Sequence, residues 1–174
     1  GAEVDVISVI GNCETSIELK KILSKIQVSS KYLVIQNDRI TSKKSRIISG
    51  HQQVARYDRE STDEISEESQ KAVLKIFRKI IQNYDLILLS DYGKGVLTFE
   101  LTQAIINISN ASNKKTLVDP KGLDYSKYNG AYLLTPNKKE ACDATNIIIN
   151  NNKTLSQALQ ILKEKCNLKV SIIT

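Results

Sequence analysis

The stretch AYLLTPNKKEACDATN, residues 131–146, decides the fold. An apolar run stops at Thr135-Pro136-Asn137, and Lys138, Lys139 and Glu140 follow at once. The run has the length of a buried strand, and Asn137 stands where a helix would begin. Two readings of the polar turn stay open. Asn137 with Glu140 three residues on is a capping device in which side chains satisfy the first backbone N–H groups. The same pair lies on one side of a first helical turn and can point into a cleft, where free backbone N–H groups would face an anion.

The strand-then-helix pattern recurs on both sides of this stretch. Val4–Ile10 reads as a strand ended by Gly11-Asn12, then a capping box at Thr15 and Glu18 opens a helix with the stripe Leu19, Ile22, Leu23 and Ile26. Helical period returns from Ser66, with Val73, Phe77, Ile80, Ile81 and Tyr84 on one face and Glu67-Glu68 in the first turn. Asp85–Ser90 is a continuous apolar run, the pattern of a strand covered on both faces. A helix follows from about Thr98 to Ser109, then a strand ending at Asp119. Thr154 and Gln157 are expected to cap a helix carrying Leu155, Ala158, Leu159 and Leu162, and LKVSIIT closes the chain on a strand. This alternation predicts an α/β fold: a parallel, doubly wound, Rossmann-like sheet with right-handed crossovers.

Residues 31–60 break the alternation. Apolar and polar residues alternate there between turn signals at Asn37-Asp38 and Ser49-Gly50. The pattern predicts two or three antiparallel strands with one wet face, a small β flap or lid inserted into the α/β body. A closing strand that needs cover on both faces gives the expectation that residues 1–174 form part of a larger domain.

Composition narrows the function classes. Hydrophobic content of 41% with 25% charge describes a globular chain, and no apolar run approaches the ~20 residues of a membrane helix. The start GAEVDVISVIG lacks the basic region of a signal peptide, and Cys13, Cys142 and Cys166 form no C-x-x-C pair. Structural thiols in a cytoplasmic protein are the expectation. A single His51 argues against a His-based metal site or triad. The net charge of +6 is dispersed among acids, with no Trp and only two Phe, so small phosphorylated ligands account for it better than nucleic acid. Neither a nucleic-acid nor a membrane partner is expected.

In open α/β sheets, ligands bind beyond the carboxyl ends of the strands. Three predicted strands run into polar clusters there: Asp91–Gly95, Pro120–Gly122 and Pro136–Glu140. One rim would then carry Asp91, Lys94, Asp119, Lys121, Asn137, Lys138 and Glu140. Lysines beside acids suit a phosphate bound with Mg²⁺. Each cluster alone is more ordinary as a turn, and it is their recurrence at successive strand ends that points to a site. There is no G-x-x-x-x-G-K-[ST] loop and no G-x-G-x-x-G.

LLSDYGKGVL, LVDPKGLDYSKYNGAYLLTPNKKE and KKSRIISGHQQVARYDRE together resemble the kinase domain of the bifunctional heptose enzymes, a branch of the ribokinase-like sugar kinases. The resemblance implies ATP-dependent phosphorylation of D-glycero-D-manno-heptose 7-phosphate at C1, towards ADP-heptose for lipopolysaccharide, with ATP and Mg²⁺ as cofactors. It implies that Asn137, Lys138, Lys139 and Glu140 form the ATP and Mg²⁺ segment, with Glu140 acting on the metal through water. Lys44, Arg46, Gln52, Gln53 and Arg56 match the flap pattern that faces the sugar phosphate, with His51 where the family pattern has Asn. Asp91, Lys94, Asp119 and Lys121 match the rim loops, and a homodimer through the flap is expected. The family's opening sugar-binding glycines and its Gly-Ala-Gly-Asp motif, whose Asp is the general base, do not occur in these 174 residues. The resemblance therefore implies a central part of a kinase domain, truncated at both ends, with its base beyond Thr174. Another ribokinase-like sugar kinase, a non-catalytic phosphate- or nucleotide-binding module and a basic RNA-binding domain are the rival readings.

Overall fold

A computed structural model describes residues 1–174. The chain divides into two compact units: Gly1–Ile76 with Lys94–Val96, and Phe77–Gly93 with Leu97–Thr174.

The first unit opens with β1 (Ser8–Ile10), α1 (Glu14–Lys25) and β2 (Leu33–Ile35), the two strands paired in parallel from Ser8↔Leu33 to Ile10↔Ile35. The strand is shorter than the expected Val4–Ile10 because β2 offers only three residues to pair with. The expected capping box at Thr15 and Glu18 does not form. Helix α1 starts earlier, with Cys13 at its N-cap and no side-chain cap bond. Buried Ser16 fixes that start: its hydroxyl donates to the Gly11 carbonyl at 2.5 Å and lies 2.7 Å from Thr41 Oγ1. Of the predicted apolar stripe on α1, Ile22 and Ile26 are exposed.

The flap is smaller than residues 31–60. Leu33–Ile35 is apolar and joins β1 as a parallel strand, so only β3 (Lys43–Ser49) and β4 (Gln52–Arg59) form the antiparallel hairpin. Gly50 takes the turn with φ 59°, and the register shifts between Ile47 and Ile48. Both faces of the hairpin are wet, including Ile47, Ile48, Val54 and Tyr57. Elsewhere in the unit, buried Arg39 donates to the Asp63 carbonyl at 3.0 Å and to the Lys94 carbonyl. Gly95 completes this knot. Its φ is +73°, and an added Cβ would stand 2.0 Å from the Asp63 oxygen, so no side chain fits there. Helix α2 (Glu67–Ile80) is capped by Ser66, whose hydroxyl accepts from the Ser69 N–H at 3.2 Å, and buries Val73, Phe77 and Ile80 as its period predicts.

The second unit holds β5 (Leu86–Ser90), α3 (Phe99–Ala111), β6 (Lys115–Asp119), a 3₁₀ turn (Ser126–Tyr128), β7 (Leu133–Leu134), α4 (Lys138–Thr145), α5 (Asn152–Lys165) and β8 (Val170–Ser171). Its four strands are parallel in the order β5-β6-β7-β8. An order without reversal, joined by right-handed crossovers, puts the connecting helices on one face. That face is the core: Leu89, Val118 and Leu134 beneath Leu101, Ile106 and Leu162. The other face shows Leu86 and Leu88 at 47% and 64% exposure, so the expectation that Asp85–Ser90 is covered on both faces does not hold within this chain.

Helix α3 falls where a helix was expected, and Thr98 caps it, accepting from Leu101 N–H at 3.1 Å. The N-cap of α5 lies three residues before the predicted one. Asn151 accepts from Thr154 N–H at 2.9 Å, and the Thr154 hydroxyl accepts from Asn151 N–H at 3.2 Å. Asn is the stronger N-cap residue, which leaves Thr154 to serve at the third helical position.

Candidate functional site

Three strands of the second unit end level with one another. Ser90 pairs with Asp119 and Val118 with Leu134, and each ladder runs one residue further, Asp91 N–H to Asp119 O and Thr135 N–H to Val118 O, both at 3.0 Å. The loops after β5, β6 and β7 therefore leave the sheet side by side. They enclose a cleft of about 340 Å³ lined by Asp91, Asp119, Lys121, Thr135, Asn137 and Glu140, with Tyr92, Pro120 and Thr174 completing the wall.

The Asn137–Glu140 turn is a true capping box. Asn137 Oδ1 accepts from Glu140 N–H at 3.0 Å, and Glu140 Oε2 accepts from Asn137 N–H at 3.1 Å. Lys138 N–H donates to the Thr174 carbonyl at 2.9 Å. Three N–H groups at the start of α4 thus have partners inside the chain, which removes the open anion-facing N-terminus that the sequence suggested. Glu140 is nonetheless more than a cap, because its Oε1 accepts from Lys121 Nζ at 2.9 Å. Burial pushes the Glu140 carboxyl up, but the Lys121 and Asn137 hydrogen bonds outweigh it and the net shift is downward. Lys121 is raised by the same contact.

Asp91 sits at the base of the cleft, buried, with both oxygens engaged. Oδ1 accepts from Gly93 N–H at 2.7 Å. Oδ2 accepts from the Tyr128 hydroxyl at 2.7 Å and from Lys127 Nζ at 2.5 Å. Lys127 also lies 5.2 Å from the centre of the Tyr128 ring. This carboxylate anchors its loop. A buried charge so paired is a strong positional constraint, since removing either partner would strand the other.

The structure brings Asp91, Asp119, Lys121, Asn137 and Glu140 to one cleft. Lys138 lines a separate depression of about 310 Å³ with Ile149, Asn151 and Leu155, and Lys139 is exposed beside neither. Lys94 belongs to the first unit and pairs with Glu60. Lys44, Arg46, Gln52, Gln53 and Arg56 lie on the exposed hairpin, with Arg46 directly across from Arg56. Asp58 takes the Arg56 guanidinium in a fork at 2.8 and 2.7 Å, and that contact holds Asp58 below the usual carboxylate range. Sequence reasoning missed Lys127 and Tyr128. They occupy an irregular turn with no periodicity, and only the burial of Tyr128 in the fold reveals the pair.

Among the 174 residues, no group of three or more His, Cys, Asp or Glu is placed to hold a metal ion. Both Glu140 oxygens already have one partner each inside the chain. No helix is long and apolar enough to cross a membrane.

The model of the pfkB family carbohydrate kinases matches residues 1–174. The bifunctional protein HldE of Aliarcobacter butzleri is 59% identical over 174 residues, all of this chain and 37% of that protein. The protein of the same name in Sulfurimonas denitrificans is 53% identical, again over all of this chain and 36% of its own length. The chain thus spans little more than a third of the curated relatives it matches. The crystal structure of phosphofructokinase-2 from Escherichia coli in complex with potassium superposes with a TM-score of 0.75 at 15% identity, over 99% of this chain and 56% of that one, which shows a shared fold. With the whole length matched and the strand-end cleft in place, the chain belongs to the pfkB family of carbohydrate kinases.

Proposed function

We propose that this chain handles ATP and sugar phosphate in an enzyme that transfers the γ-phosphoryl group of ATP to the C1 hydroxyl of D-glycero-D-manno-heptose 7-phosphate. The observation that carries the proposal is the cleft where Asp91, Asp119, Lys121, Asn137 and Glu140 converge at three strand ends. Its support in sequence is the match, over the whole chain, to proteins named bifunctional HldE. A cleft of this size takes the phosphate end of a nucleotide. Lys121 supplies positive charge there, and Asp119 and Glu140 supply carboxylates for a hydrated cation. Mg²⁺, when bound, would neutralise charge on the transferred phosphoryl group. Catalysis by these residues is positioning and charge stabilisation rather than covalent chemistry.

The hairpin is proposed to receive the sugar phosphate. Arg46 faces Arg56 across the strands, and like charges so placed repel unless an anion joins them. Asp58 compensates one of the two. Exposure of Ile47, Ile48, Val54 and Tyr57 on the same hairpin supports its use as a homodimer contact. A cytoplasmic location is part of the same proposal.

The test is heptose 7-phosphate-dependent ADP release by the gene product carrying these residues, with ribose and fructose 6-phosphate as competing acceptors. Turnover preferring the heptose is expected. Equal turnover on fructose 6-phosphate would move the assignment to another sugar kinase. Absence of Mg-ATP binding by the same folded gene product would remove the kinase reading of this cleft.

A further inference from the structure

Resting on the proposed Mg-ATP role of the cleft, we infer that Tyr128 is a positioning residue that aims Lys121 at Glu140. Its phenol links the anchored Asp91 directly to the Lys121 loop. The hydroxyl donates to Asp91 Oδ2 at 2.7 Å and accepts from Lys121 N–H at 3.0 Å. The Lys121 carbonyl lies 3.2 Å from the same oxygen, a second acceptor for its single proton. Lys121 Nζ then reaches Glu140 Oε1, and Glu140 Oε2 holds Asn137 N–H. The result is a continuous series of contacts, Asp91–Tyr128–Lys121–Glu140–Asn137, through all three strand-end loops.

The phenol suits this task. Tyr128 is fully buried, and its ring meets Tyr125 edge-on at 5.7 Å, which fixes the ring plane. Burial, and then the hydrogen bond to Asp91, push its ionisation far above the ordinary range. The phenol therefore keeps its proton, and donates to Asp91, at neutral pH. Asp91 is fixed in turn by Gly93 N–H and Lys127 Nζ. The Lys121 side chain is 53% exposed, so its course is set from the backbone, by buried Pro120 before it and by the Tyr128 bond at its own N–H. Polar networks of this kind act as a unit, and the loss of one member is felt beyond its own contact.

Tyr128→Phe keeps the ring and removes only the oxygen. In the folded variant, the Lys121 amide is expected to exchange its hydrogen about fivefold to tenfold faster by NMR, the loss of one net hydrogen bond. Mg-ATP affinity by calorimetry is expected to fall about fivefold in the wild-type background. In a Lys121→Ala background the same change is expected to do less than about twofold, because the two residues share one route. A residue that only fills space would lower the melting temperature without this non-additivity. Unchanged Lys121 exchange, or full additivity with Lys121→Ala, would overturn the inference. If Tyr128→Phe does not fold, Asp91→Asn carries the same measurements with the same direction at smaller size, and unchanged Lys121 exchange overturns the inference there too. Failure of the wild-type gene product carrying these residues to bind Mg-ATP instead counts against the proposed function, and the exchange measurement still decides the role of Tyr128.

Discussion

Replacing Glu140 by Gln separates two functions that the same side chain performs. Gln keeps an oxygen that can accept from Asn137 N–H, so the capping box survives. It loses the charge that holds Lys121 Nζ at 2.9 Å and that would face a hydrated cation. Lys121 is half exposed, so the ion pair adds little to stability, and Glu140→Gln is expected to shift the melting temperature by less than about 2 °C. Glu140→Ala removes the cap bond as well, about 1 kcal/mol, or roughly 3 °C for a domain of this size. Mg-ATP affinity should fall about tenfold in both variants, the magnitude of one hydrogen bond to a charged group. Circular dichroism melts with calorimetric titrations, with and without Mg²⁺, measure both quantities. The pH dependence adds a signature. The folded Glu140 lies below its ordinary value of 4.5, so its contribution is present above that value and is lost as pH falls through the folded one. The difference in melting temperature between wild type and Glu140→Gln should therefore close on acidification from about pH 6 to about pH 3. The reasoning is refuted if Glu140→Gln destabilises as much as Glu140→Ala while Mg-ATP affinity stays unchanged, because Glu140 would then be a cap alone.

Other expectations follow from separate parts of the chain. The Cys13 thiol is held at about 6, first by its hydrogen bond to Ser16 against the effect of burial, while burial pushes Cys166 up to about 11. Timed alkylation read by mass spectrometry should label Cys13 with a midpoint near that value and leave Cys166 unmodified in the folded chain, and a Cys13 midpoint at an ordinary thiol value would contradict this. Gly95→Ala places a Cβ 2.0 Å from the Asp63 oxygen at a positive φ and should cost upward of ~3 kcal/mol in denaturant melts. Gly50→Ala, with open space around it at φ +59°, should cost only about 1 kcal/mol by the same assay. Arg56→Ala lies on the exposed hairpin and should leave the melting temperature unchanged while weakening sugar-phosphate binding, which calorimetry with heptose 7-phosphate would show.

The alternation of strand and helix was legible because burial on a sheet writes apolar runs and burial on a helix writes a period of 3.6 residues. Leu86–Ser90, Phe99–Ala111 and Lys138–Thr145 fall where the pattern puts them. Asn137 and Glu140 were legible too, since a capping box is local in sequence. The first helix start and the extent of the flap were not, because each depends on a distant partner. Ser16 is fixed by Thr41, and Leu33–Ile35 leaves the flap only because β1 is there to pair with it.

By itself, then, the sequence determined the fold class, the three polar strand ends and the kinship with sugar kinases. All of these rest on contacts between near neighbours or on residue order. Only the tertiary structure decided what each polar group does. It buried Asp91 at the cleft against Lys127 and Tyr128, it gave Lys94 to Glu60, and it joined Lys121 to Glu140 across 19 residues of chain. The physical reason is that a side chain's role follows from its partners and its solvent exposure, and both are set by segments that sequence order keeps apart.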